Sequence, residues 1–182
     1  MADESQKANL SQLSRLMAWL SAAGAGLLPL AIVATFLLPD IGYGLGNSWN
    51  GITALTIAQT PLDYRIVAFL FALVPTAFTI WALWSLRQLF LLYASGEVFS
   101  HHALRMLNHV AVALFAGVIT GFVTQAPITL LLSWYKGHGH RALSIGIGSH
   151  EIAGLFVAGA VLVIARVMAE ARRMADENAG FV

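Results

Sequence analysis

From Met106 to Tyr135 the chain runs for thirty residues without an aspartate, glutamate, lysine or arginine. A helix needs roughly 20 apolar residues to cross a hydrocarbon core of about 30 Å. This run exceeds that length, so tilt, a kink at Pro127 or emergence beyond the interface must absorb the excess. Three other segments have the same character. Leu16–Pro39 and Ile66–Leu86 are free of charge, and a last apolar stretch extends from about His150 to Met168. Composition agrees: of 182 residues 58% are hydrophobic and 10% charged, against about 25% charged in a typical soluble domain. The expectation is an all-α integral membrane protein forming one domain over residues 1–182. Its four spans fall at about 15–38, 64–87, 106–134 and 150–168.

The same composition excludes several function classes. A formal net charge of +1 gives no clustered basic face for nucleic acid. The absence of cysteine removes disulfides, thiolate metal sites, iron–sulfur clusters and cysteine nucleophiles together. Asp3 and Glu4 stand where a signal peptide would be basic, and the apolar run after Arg15 is too long for a signal core, so the first span is read as retained.

In chain order, Leu10, Leu13 and Met17 recur at helical spacing, which places the start of the first helix near residue 9. Ala22 and Gly26 stand four apart on one face and would let a neighbouring helix approach closely; Pro29 is a kink candidate. Residues 39–63 form a glycine- and asparagine-rich loop on one side of the membrane, with Tyr43 and Trp49 as interfacial aromatics. Thr60, Pro61 and Asp63 mark the start of the second helix, with Thr60 as an acceptor for an orphan N–H. At Pro75 the freed carbonyl is expected to be met by Thr76, Thr79 or a neighbouring helix. Past Arg87 the helix continues as an amphipathic extension ending at Gly96, suited to a left-handed cap. Ser100 then caps the third helix, and Phe99 can pack on Leu104 as a hydrophobic staple. Residues 88–104 are thus an ordered reversal. Gly117 and Gly121 make a GxxxG packing face, and Trp134 and Tyr135 close the third span. A polar loop over 135–149 leads to Ser149 and Glu151, a cap and a favourable first-turn charge for the fourth helix. The charges beyond Arg166 read as solvation and anchoring.

Cytoplasmic loops carry an excess of Lys and Arg. Lys7, Arg15, Arg87, Arg105, Arg166, Arg172 and Arg173 fall on one side of the four spans, and Arg65, Lys136 and Arg141 on the other. Two helical hairpins with both termini and the central turn in the cytoplasm follow.

The central turn carries more than topology. Arg87, Leu89, Phe90, Tyr93, Gly96, Glu97, Phe99 and Ser100 resemble the pattern of the DUF2975 family, in which an Arg-Leu-Phe-x-x-Tyr run precedes Gly-Glu-x-Phe-Ser. The likeness extends from about residue 60 to the C-terminus. It implies a small bacterial four-span membrane protein and lends no activity. His101 and His102 stand where the family more usually has acidic or polar residues.

Six histidines raise the question of metals. A b-haem needs two histidines at similar depth on different helices, whereas His109 and His150 fall at opposite ends of their spans. His138, His140, His150 and Glu151 could together offer a zinc or copper ligand set on the outer side, against the plainer reading of solvated loop histidines. No hydrolase, metalloprotease or P-loop motif is present, and the polar residues Thr76, Thr79, Thr120, Thr124, Gln125 and Thr129 read as helix glue. The expectation is a non-enzymatic accessory or regulatory subunit without a cofactor. It would lie in the lipid bilayer and pack against another integral membrane protein or a second copy of itself. The alternative is a small sensor or transporter with an outer cavity bounded by Gln125, Pro127, His150 and Glu151.

Overall fold

A computed structural model describes residues 2–38, 48–49, 52–53, 57–98, 100–134 and 149–179. The elements are α1 (Ala2–Leu37), β1 (Ser48–Trp49), β2 (Ile52–Thr53), α2 (Leu62–Ala94), α3 (His101–Trp134) and α4 (Ser149–Ala179). All four helices are long and apolar enough to cross a membrane, over Ser11–Leu37, Leu62–Ala94, His101–Trp134 and Glu151–Met174. At about 1.5 Å per residue each is roughly 46–54 Å long, so each outreaches a hydrocarbon core of about 30 Å.

Two features depart from the sequence reading. α1 begins at Ala2 rather than near residue 9; alanine, glutamine and lysine are good helix formers, and Asp3 and Glu4 favour the positive end of the helix dipole. Within the first loop, β1 and β2 pair antiparallel, Trp49 opposite Ile52 and Ser48 opposite Thr53. The intervening Asn50-Gly51 is the composition that two-residue hairpins favour. At the start of α2 the Thr60 hydroxyl also donates to the Leu132 carbonyl at 3.4 Å, meeting one of the four carbonyls that the end of α3 leaves without a helical partner. Pro61 takes the capping position, its carbonyl accepting the Arg65 N–H at 3.2 Å.

The chain divides into two compact units. One comprises Met1–Ala25, Thr79–Phe115 and Ala153–Val182, the other Gly26–Phe78 and Ala116–Ile152. The second has a core of large side chains. Phe36, Ile57, Ile128 and Leu132 are fully enclosed there with Ile32, Ala68 and Ala72, and the Phe36 and Phe69 rings pack tilted at 6.4 Å. The first is packed mostly by alanines, among them Ala18, Ala82, Ala111, Ala113, Ala158 and Ala165. A Cβ added at Gly24 would lie 3.4 Å from Leu83 Cδ1, so the Leu83 side chain of α2 packs against α1 at that glycine.

Among the described residues, nine of the seventeen buried apolar side chains are alanines, while Trp19, Leu27, Leu30, Val123 and Phe156 are exposed. Small residues inward and large ones outward is the reverse of a soluble core. It is what helices do when lipid tails solvate leucine as well as protein does and backbone approach supplies the packing.

Several hydroxyls inside the helices are satisfied locally. Thr120 donates to the Ala116 carbonyl at 2.7 Å, Thr124 to Thr120 at 2.7 Å, Thr129 to Gln125 at 2.9 Å and Ser133 to Thr129 at 2.9 Å. Thr76 donates to Ala72 at 2.7 Å. The carbonyl that Pro75 frees belongs to Phe71, four residues back, so the Thr76 hydroxyl does not serve it. α1, α2 and α3 each remain continuous through their proline.

Candidate functional site

The most sharply defined local structure joins α2 to α3. Gly96 has φ of +86°, a left-handed value that costs an L residue with a Cβ roughly 1–2 kcal/mol. Its N–H donates to the Tyr93 carbonyl at 3.1 Å, and the Glu97 N–H reaches back to the Leu92 carbonyl at 2.9 Å. These two bonds form a Schellman motif and close the C-terminus of α2. Four residues on, the Ser100 hydroxyl accepts the Ala103 N–H at 3.1 Å and the Ser100 carbonyl accepts the first helical bond, from Leu104, at 3.1 Å. Both ends of the reversal are capped by the residues that the sequence singles out. Beneath it, Leu89, Ala103 and Met106 form a buried cluster with Leu86, Leu92, Tyr93 and Leu107 packed around it. Arg87 lies over the Trp84 ring at 5.0 Å, a cation–π contact that holds the guanidinium along the helix. Phe90 is half-buried. The staple partner Phe99 lies outside the described residues.

A cleft of about 860 Å³ opens in the same unit, between the first turns of α3 and the last turns of α4. From α3 it is lined by His101, Arg105, Asn108 and His109, with Leu104 beside them. Spacings of three and four residues put these on one helical face. From α4 come Ala165, Arg166, Ala169, Arg172, Arg173, Asp176 and Glu177, again at spacings that share a face. The α4 charges at this helix end form one wall of the cleft.

The cations in this cleft differ in how they are satisfied. Arg173 pairs with Glu170 at 2.6 Å and Glu177 at 3.6 Å, and Arg172 with Asp176 at 3.5 Å. Arg105 and Arg166 are exposed and make no ion pair with any described residue. The His109 ring packs against Trp81 with centroids 5.8 Å apart, which fixes one edge of the cleft.

The remaining residues read from the sequence are placed as follows. Ala22 is half-buried and Gly26 exposed, with nothing within 4 Å of a Cβ built there. Within the chain Gly24 faces the Leu83 side chain, and Gly26 is open. Gly117 is half-buried and Gly121 buried; their carbonyls accept the hydroxyls of Thr120 and Thr124, each at 3.2 Å. Gln125 is buried, while Pro127 and Glu151 are half-buried. Glu151 stands in the first turn of α4, as its charge favours. His150 is helical, and His138 and His140 lie outside the described residues. Among the described residues no three His, Asp or Glu side chains come together as a metal site.

A family model described as "Protein of unknown function (DUF2975)" matches residues 52–180. The chain belongs to the DUF2975 family. The matched region takes in the capped reversal and both walls of the Arg105–Arg166 cleft, whereas α1 lies outside it. No curated protein and no solved structure matches the chain.

The cleft cations were the part that sequence reasoning missed. The available signal was positional: Arg105 immediately precedes the charge-free run of α3, and Arg166 immediately follows that of α4.

Proposed function

We propose that this DUF2975 protein is a non-enzymatic subunit of the bacterial inner membrane, with both termini cytoplasmic, that packs through α4 against another integral membrane protein. One observation carries the reading. Only 11% of the most apolar window of α4 is buried within the chain, against 28% in each of the other three helices. α4 turns Ala158 and Ala165 inward and leaves Ile152, Phe156, Val157, Val163, Ile164 and Val167 uncovered. Exposed apolar side chains alone are ordinary in lipid. Here they flank Gly159, where a Cβ would meet nothing within 4 Å, and a glycine in an otherwise bulky surface lets a partner backbone come close.

The substitution Gly159→Leu tests this. A Cβ there meets nothing within 4 Å, so the monomer should keep most of its apparent Tm while the complex extracted from the native membrane in mild detergent shrinks to the size of the lone chain. An unchanged complex size would count against α4 as the docking helix. Orientation is tested with single cysteines, which the cysteine-free chain makes clean. Gln59→Cys should label with an impermeant maleimide in intact cells, and Glu97→Cys only after permeabilisation. The opposite pattern would reverse the topology.

A further inference from the structure

We infer that the cleft between the start of α3 and the end of α4 binds the phosphate group of an anionic lipid, held by Arg105 and Arg166. The first support is charge. Arg172 and Arg173 share the cleft but already face Asp176, Glu170 and Glu177 along their own helix. Arg105 and Arg166, contributed by different helices, have no carboxylate partner among the described residues. A guanidinium presents a planar set of donors that matches phosphate oxygens, and two unpaired ones lining a single cleft leave donors for an anion from outside the chain. Asn108 adds an amide donor on the α3 face of the same cleft.

The second support is depth. Arg105 is the last charge before the charge-free remainder of α3, and Arg166 is the first after the apolar run of α4. Both therefore stand at the boundary between hydrocarbon and headgroups, where lipid phosphates lie and where basic pockets between transmembrane helices take acidic headgroups. The third is the cleft's composition. Leu104, Ala165 and Ala169 line it alongside the arginines, an apolar strip on which the glycerol end of an acyl chain can rest. A soluble phosphate would use the arginines and leave this strip wet.

The test uses the full chain reconstituted in phosphatidylcholine nanodiscs with and without phosphatidylglycerol, and native mass spectrometry to read the lipids retained on release. Wild type should keep phosphatidylglycerol in preference to phosphatidylcholine, and R105Q/R166Q should lose that preference. The expected loss is roughly 100-fold, taking about a tenfold contribution from each charge-assisted guanidinium–phosphate contact. R15Q/R87Q removes the same charge from residues that do not line the cleft and should retain the preference. Far-ultraviolet circular dichroism and the apparent Tm establish that each variant is folded, and R105K/R166K, which keeps the charge, should recover part of the binding. Equal retention by wild type and R105Q/R166Q, or an equal loss in R15Q/R87Q, would overturn the site. A parallel titration of the delipidated protein with inorganic phosphate separates the two sources of the group. Arginine-dependent phosphate binding without any preference for phosphatidylglycerol would overturn the lipid assignment.

Discussion

The two compact units are packed from different material. The unit containing the end of α1 and the start of α2 encloses Phe36, Ile57, Ile128 and Leu132, the largest fully buried side chains among the described residues. The unit containing the capped reversal buries mainly alanines, together with Leu89, Met106 and Val110. One is held by side-chain volume. The other is held by contacts of small side chains and by helix ends whose orphan groups are satisfied within the turn. The difference says where each tolerates change: the first should be sensitive to lost volume, the second to added volume and to the conformations of a few backbone positions.

The largest effect is expected from Phe36→Ala. A buried phenylalanine reduced to alanine costs roughly 3–5 kcal/mol in soluble cores, and the lower end applies here because lipid rather than water is the outside solvent. The apparent Tm in a fixed detergent should fall accordingly; a negligible change would deny that large side chains carry this unit. Ala113→Leu inverts the experiment. Ala113 is fully enclosed, and overpacking a tight interface costs about 1–3 kcal/mol, so a stabilised variant would show that the alanine-packed unit has slack. Gly96→Ala comes next. No neighbour lies within 4 Å of the added methyl, so its cost is conformational, about 1–2 kcal/mol, and hydrogen exchange at Gly96 and Glu97 should accelerate. Ser100→Ala removes the acceptor of the Ala103 N–H, worth about 1 kcal/mol at a helix start, and Thr at this position should restore most of it. Smallest of all is Glu170→Gln, which breaks an exposed pair with Arg173 worth roughly 0.5 kcal/mol or less; a larger fall in Tm would mean that the end of α4 is held more firmly than its exposure implies.

Much of this architecture is legible in the sequence because membrane helices announce themselves by length and lack of charge, and because Gly96 and Ser100 act through short-range backbone chemistry. Both caps are local, so a pattern read along the chain suffices to find them. The first turns of α1 were harder to read, since Asp3, Glu4 and Lys7 break the apolar period while still favouring helix through propensity and the dipole. The β1–β2 ladder was signalled by Asn50-Gly51, but flanking segments of two residues each give no alternation to read. Gly26 and Gly24 could not be separated by spacing, because which glycine meets a neighbour depends on helix rotation. The Arg105–Arg166 cleft depends on two residues sixty-one positions apart lining one cavity, a relation that belongs to tertiary packing alone.

The account rests most heavily on α4 as the helix that meets another membrane protein, and site-specific photocrosslinking in the native membrane tests it directly. A diazirine amino acid at Phe156, Val163 or Val167 should give one protein adduct, the same from all three positions and identified as an integral membrane protein. The same probe at Leu70 or Phe115, exposed on α2 and α3, should give lipid adducts only. Lipid adducts alone at every position, or protein adducts spread evenly over α2, α3 and α4, would contradict it.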